Sequence, residues 1–425
     1  MKKEFEGKKL LVLGANKLEC DIVTHAQEMG AYVCVADYQT DSPAKLIADE
    51  AVLIDATEVD SLVEYCKNNH IDGVTTGFVD VLMMPCYEVC KRLGLPYYAT
   101  PKMISMATNK VDFKETCQAY GVPVPQTYLI GSTIPEDTVD KIQYPVFVKP
   151  MDASGSRGAG VCNNREELEV QFADAVSYSD TDNAIIEDFL TGREFLANYI
   201  AVDGEYRLIS LFDRYMSKDR GSAVNFSNMS LAPSKAVENY LTSVNDKVVN
   251  MFKSLGFNDG ILFLQGHSNG DKITFYEMGC RLGGSYYNLE EKFIGDNPVD
   301  MVVRYAFTGK MVYEIDKIKT DVAKYDRYAI ACNYLLKKGE DTISKIVGLD
   351  KVKSMPSCVK VLQYLDEGHH YSIDRTVDKP VLTSYMVVKD LDEVKSNLSY
   401  INENFDVFNK SNESLLMNRL QPKDL

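Results

Sequence analysis

Between residues 8 and 100, strand-like apolar runs alternate with helix-like segments, and this constrains the fold more than any other feature. Lys9 to Leu13 reads as a strand, Leu18 to Met29 as a helix closed by Gly30, and Tyr32 to Ala36 and Val52 to Ile54 as strands. Val59 to Asn68 then reads as a helix, Gly73 to Thr76 as a strand, and Val81 to Leu93 as a helix closed by Gly94. Strands joined through helices over short connections form a parallel sheet with helices on its faces. Gly14 follows the first strand and Asp37 ends the second, which invites a nicotinamide-dinucleotide reading. The stretch Gly14-Ala15-Asn16-Lys17-Leu18-Glu19 argues against it, because the second and third glycines that admit pyrophosphate to the backbone are missing.

A chain of 425 residues is long enough for two or three domains. A net charge of −16 argues against nucleic acid or an anionic membrane as partner, so an anionic ligand requires a local basic pocket. The apolar run Leu10 to Leu13 is too short for a signal-peptide core and no run reaches membrane-spanning length, which points to a cytoplasmic protein. The ten cysteines form no CxxC pair, and Cys86 and Cys90 stand one helical turn apart in an apolar segment. Reduced core residues are the expectation.

Thr100-Pro101 is a helix start, and Lys102 to Tyr120 makes one helix or two before Val122-Pro123-Val124-Pro125 marks a domain boundary. Lys110 lies in that segment. Tyr144 to Pro150 is an apolar strand ending in Lys149, followed by a small-residue loop containing Ser154, Gly155, Ser156 and Gly158. Such a loop can fold its backbone N–H groups over phosphates, although it is no Walker loop. In the strand Asn183 to Phe189, Glu187 interrupts an apolar run, and Glu194 comes after a turn; both can be read as edge-strand charges or as adenine and ribose ligands. Phe212 to Ser234 is polar and weakly periodic, as a loop near a substrate would be. Glu238 to Leu255 reads as one amphipathic helix.

Gly260 to Ser285 reads as a hairpin around Asn269-Gly270, with Gln265, Glu277 and Arg281 as its polar exceptions. A two-residue Asn269-Gly270 loop would put Gln265 and Glu277 on opposite faces. Both serve one site only if the loop has an odd length or a bulge intervenes. Beyond it, Pro298 to Phe307 reads as a helix, Ala329 to Leu336, Cys358 to Tyr364 and Val381 to Val388 as strands, and Asp390 to Asn404 as a helix. His369 and His370 point to opposite faces of a strand and cannot ligate one metal together.

In this order the motifs resemble the ATP-grasp superfamily, closest to its amino-acid (dipeptide) ligase and carbamoyl-phosphate-synthase-like branch. The resemblance implies an α/β and α+β multidomain fold: a Rossmann-like parallel sheet in residues 1–103, a two-lobed ATP-grasp domain in 104–318 and a small α+β cap in 319–425. It implies that Lys110 and Lys149 contact ATP phosphates under the Ser154-Gly155-Ser156-x-Gly158 loop. Glu187, Asp188, Phe189 and Leu190 would hold adenine, and Glu194 the ribose. Gln265 and Glu277 would hold Mg²⁺, with Mn²⁺ as an alternative, and Lys149 and Arg281 would be catalytic. Gly279 departs from the family, where an asparagine ligand is common. The implied reaction is ATP-dependent amide formation from a small carboxylate, such as an amino acid, and an amine, through an acyl phosphate. Alternatives are a carbamoyl-phosphate-synthase-like or purine-pathway enzyme and a silent ATP-binding protein. A homodimer remains open.

Overall fold

The computed structural model describes residues 3–152, 157–216, 227–312, 315–318, 322–373, 379–417 and 419–425. Its first sheet has four parallel strands in the order Glu50–Val52, Tyr32–Ala36, Lys9–Leu13, Gly73–Thr75. Leu10, Val12, Val33 and Val35 enter one core, whereas Leu11, Leu13, Cys34 and Ala36 enter another on the opposite face. Apolar residues at consecutive positions are what a strand covered on both faces requires. The edge strand lies two residues earlier than its apolar pattern suggests: Glu50–Val52 takes the register opposite Cys34–Ala36, and Leu53 turns to solvent.

Residues 101–119 form two helices, Pro101–Thr108 and Lys110–Ala119. Thr100 Oγ1 accepts from the Met103 amide, and Asn109 Oδ1 accepts from the Val111 and Asp112 amides, so each helix has its own N-terminal cap. The second cap makes Lys110 the first residue of its helix.

Two antiparallel sheets come next. The smaller has the order Thr127–Gly131, Ala184–Asp188, Val146–Pro150, Gly160–Cys162, and the helix Arg165–Ser177 packs on it. Glu187 and Lys149 therefore sit on its two central strands, which overturns the edge-strand reading of Glu187. The larger has eight strands, in the order Lys272–Gly279, Gly260–Asn269, Arg193–Val202, Glu205–Met216, Ser227–Ala232, Tyr328–Tyr334, Leu382–Val388, Cys358–Gln363. The three C-terminal strands thus continue the sheet that carries the hairpin.

The ends of the expected Phe212–Ser234 loop are strands, because Asp213 to Tyr215 pairs with Met229 to Leu231; residues 217–226 lie outside the described residues. The single helix expected over Glu238–Leu255 is two, Val237–Ser243 and Asn245–Ser254, broken where Val244 leaves helical geometry and buries its side chain. Among the described residues no helix is long and apolar enough to cross a membrane. All ten cysteines are free, and eight are buried.

Candidate active site

Lys149 ends its strand with a buried side chain whose Nζ donates to Glu187 Oε1 at 2.6 Å. The other oxygen of Glu187 accepts from Lys114 Nζ, which also donates to Thr127 Oγ1 at 2.7 Å. Burial, the largest single effect, pushes the Glu187 carboxyl up, but the two ammonium groups together hold it below its ordinary range. Lys110 Nζ donates to the Met151 carbonyl at 3.2 Å, at the entrance of the small-residue loop. Burial pushes its ammonium down to about 8, the Lys149 charge adds to that, and Glu277, Asp152 and Glu187 oppose it. Lys110, Lys149 and Glu277 therefore share one electrostatic neighbourhood.

Glu277 owes its position to a bulge. The hairpin pairs Asn269 with Lys272 and Gly266 with Phe275, so its two-residue loop is Gly270-Asp271 and not Asn269-Gly270. Continued unchanged, that register would set Gln265 opposite Tyr276. The register shifts after Gly266, two residues oppose one, and Gln265 pairs with Glu277. Tyr276, the extra residue, reaches the same region: its hydroxyl lies 2.8 Å from both Gln265 Oε1 and Glu194 Oε1, and donates its single proton to one of them at a time. Arg214 completes the cluster by pairing with Glu194 and approaching Gln265 Oε1 at 3.4 Å. Glu194 is thus committed to Arg214 and Tyr276.

The Glu277 side chain is exposed to solvent, and among the described residues no side chain donates a hydrogen bond to it. Enclosure raises its pKa; Lys110 and Lys149 lower it, Asp80 raises it and Arg281 lowers it. A carboxylate and an amide oxygen on neighbouring strands suit a hard cation, with the Gln265 oxygen shared with Tyr276. No third side-chain ligand comes from Gly279. A Cβ there would stand 2.2 Å from a ring carbon of Phe263, its cross-strand partner, so the glycine makes room for that ring.

The same ring lies under the Arg281 guanidinium, 5.1 Å from its centroid. Arg281 Nε and Nη2 each donate to Asp80 at 2.7 Å, and Nη1 donates to the Leu282 carbonyl at 2.8 Å. Asp80 begins the turn Asp80–Leu82 after the fourth parallel strand, so this fork binds the first sheet to the hairpin. The guanidinium edge that sequence alone offers to a substrate is occupied by Asp80.

Of the other expected residues, Asp188 Oδ1 accepts from Tyr128 at 2.9 Å, and Phe189 and Leu190 are half-buried in the loop beyond it. Gly158 has a φ of 68°, and a Cβ there would strike Tyr178. Ser154, Gly155 and Ser156 lie outside the described residues. Sequence reasoning missed Lys114, Arg214, Tyr276 and Asp80. Lys114 had a signal, since it stands one helical turn from Lys110. The other three become visible only once strands are paired.

Residues 109–310 match the family model described as the carbamoyl-phosphate synthase L chain, ATP binding domain. A formate-dependent phosphoribosylglycinamide formyltransferase of Sulfurisphaera tokodaii is 22% identical over 284 residues, covering 65% of this chain and 71% of that one. The chain spans about half the length of other formyltransferases of that name, 48% for one from Prochlorococcus marinus. Among solved structures, the L-amino acid ligase of Bacillus licheniformis superposes with a TM-score of 0.78 at 19% identity, over 95% of this chain and 99% of that one. The biotin carboxylase domain dimer of Hydrogenobacter thermophilus 2-oxoglutarate carboxylase, in complex with MgADP, ADP and bicarbonate, gives 0.72 at 17% identity, over 95% and 91%.

Proposed function

We propose that the chain, whose residues 109–310 match the ATP-binding domain of the carbamoyl-phosphate synthase L chain, is an ATP-grasp enzyme, an ATP-dependent carboxylate–amine ligase whose carboxylate substrate is an amino acid or a similarly small acid. The observation that carries this reading is the meeting of Lys110, Lys149, Glu277 and Arg281 in one electrostatic neighbourhood, drawn from a helix, a central strand and a bulged hairpin.

The carboxylate oxygen attacks the γ-phosphorus of ATP, ADP leaves, and an acyl phosphate forms. The amine nitrogen then attacks the acyl carbon, the C–O bond to phosphate breaks, and an amide, inorganic phosphate and a proton are released. Both reactants of the first step are anions, so positive charge must stand between them. Lys110 and Lys149 would bind the triphosphate, and Arg281 would face the transferring group through the N–H bonds Asp80 leaves over. A Mg²⁺ ion held by Glu277, Gln265 and ATP oxygens would neutralise phosphate charge and orient the γ-phosphoryl group. Its fit rests on the open Glu277 carboxylate.

The test is phosphate release from ATP against amino acids, singly and in pairs, with product masses recorded. Pair-dependent turnover yielding a product of the summed mass less water is expected, and Glu277→Ala should abolish ADP formation while the protein stays folded. Near-normal turnover of that variant would sink the metal assignment. The formyltransferase relatives favour a second reading, in which formate is the acid and a phosphoribosylglycinamide-like amine the acceptor, and the bicarbonate complex of the biotin carboxylase domain adds bicarbonate as a candidate acid. Turnover with formate or bicarbonate and none with amino acids would select it.

A further inference from the structure

Lys114, one helical turn from Lys110, closes a deeply buried charge cluster near the proposed phosphate site. Lys114, Glu187 and Lys149 are 4%, 3% and 7% exposed. The Lys110–Ala119 helix points Lys114 at the strand pair that carries the other two, where Thr127 Oγ1 takes one of its protons at 2.7 Å and Glu187 Oε2 another. Glu187 Oε1 is left to Lys149 at 2.6 Å. Two ammonium groups on one carboxylate leave the cluster with a net charge of +1. Without Lys114, Glu187 and Lys149 would form a neutral pair, and the lysine would present a dipole to an approaching phosphate instead of a charge.

We propose that Lys114 is a positioning residue whose charge compensates Glu187, so that Lys149 keeps a full positive charge for the phosphates of a bound nucleotide. The inference rests on the reading of Lys149 as a phosphate-facing residue. Glu187 supplies placement: its second oxygen fixes the Lys149 head group at the end of a central strand, next to the small-residue loop. Lys114 removes the electrostatic cost of that placement. In a nearly dry site the difference is large, because the interaction of unit charges grows as the local dielectric falls.

Charge compensation and simple packing make opposite forecasts for a double substitution. Binding of MgADP and of a non-hydrolysable ATP analogue would be measured by calorimetry, with melting temperatures recorded on the same samples. Lys114→Met is expected to weaken both ligands at least tenfold. Adding Glu187→Gln leaves Lys149 as the one charge of the cluster, and should raise affinity at least threefold above that of Lys114→Met. A purely structural Lys114 predicts that the double variant binds no better than the single one, and that result overturns the proposal, as does a change under twofold for Lys114→Met. Where the neutral variant does not fold, Lys114→Arg decides: it keeps the charge and should bind normally, and a tenfold loss overturns the proposal. If the unaltered protein binds neither nucleotide, the nucleotide-site reading itself fails; if it binds both and Lys114→Met binds equally well, only the role of Lys114 fails.

Discussion

Restoring the family's asparagine at position 279 should damage the hairpin rather than complete a metal site. An added Cβ would stand 2.2 Å and 2.3 Å from two ring carbons of Phe263. Carbon atoms settle about 3.5–4 Å apart, so the ring would have to retreat by more than about 1 Å. It has nowhere to go: Phe263 is 3% exposed, and Arg281 lies over its face. Overpacking of this kind costs about 1–3 kcal/mol, and here it falls on a strand pair already bent by a bulge. Amide hydrogen exchange across Gly260–Gly279 would read that loss as local opening. Phe263→Ala alone is costly, about 3–5 kcal/mol, so the informative quantity is the cost of Gly279→Asn in each background. We expect it to drop by at least about 1 kcal/mol when the ring is gone, a coupling typical of residues in contact. Equal cost in both backgrounds, or an asparagine tolerated beside the intact ring, would refute the packing origin of Gly279.

The same geometry governs other perturbations. Glu290 is buried, accepts from Ser210 Oγ at 2.7 Å, and has its pKa raised by burial to about 7. A raised folded-state pKa means that stability is fullest below the unfolded value and falls as pH rises through about 7; Glu290→Gln should therefore flatten that loss, and an unchanged melting profile between pH 5 and 8 would contradict it. His25 is pushed down by burial but raised on balance by Asp300, whose carboxylate accepts at 2.8 Å, with Asp21 and Glu28 adding to the rise. Its contribution is present below the unfolded histidine range and lost as pH climbs through the raised value, so Asp300→Asn should destabilise the protein more at pH 5.5 than at pH 8 in thermal melts. Arg281→Lys cannot reproduce the fork on Asp80; we expect a much larger fall in turnover than in ATP affinity, and equal losses in steady-state kinetics would argue against a role in phosphoryl transfer.

The first sheet was legible because its signals are local. Consecutive apolar residues and glycine stops define strands and helices within a few positions, and only the edge strand slipped, where pairing with Cys34–Ala36 outweighed the apolarity of Leu53. The break between the helices Val237–Ser243 and Asn245–Ser254 was not legible, because burial of Val244 in a core assembled from distant segments sets it. The strands hidden in Phe212–Ser234 are a similar case: their polar residues are tolerated because Ser230 and Asp213 find hydroxyl partners, Tyr286 and Ser234, which a linear reading cannot pair.

For the site, residue types were legible and their partners were not. Parity showed that Gln265 and Glu277 need an irregularity to meet, and the bulge supplies it, but nothing in the spacing said that the extra residue would be a tyrosine able to hydrogen bond to Gln265 and Glu194. Glu194 was chosen as a ribose ligand because a glutamate after a glycine turn fits that task. It is bound instead by Arg214, twenty residues along the chain on the neighbouring strand, where the register places Arg214 directly opposite. A sugar hydroxyl reaching Glu194 would have to share it with a guanidinium. Arg281 is constrained the same way, since Asp80 takes two of its N–H groups and Leu282 a third. In both places a charged side chain that sequence offers to a ligand is already paired within the fold, so a ligand there would meet a dipole. Glu277 differs because its side chain is exposed and, among the described residues, accepts from no side-chain donor. Lys110 and Lys149 bring positive charge to bear on Glu277, and the proposed function assigns these lysines to the triphosphate rather than to the substrate carboxylate.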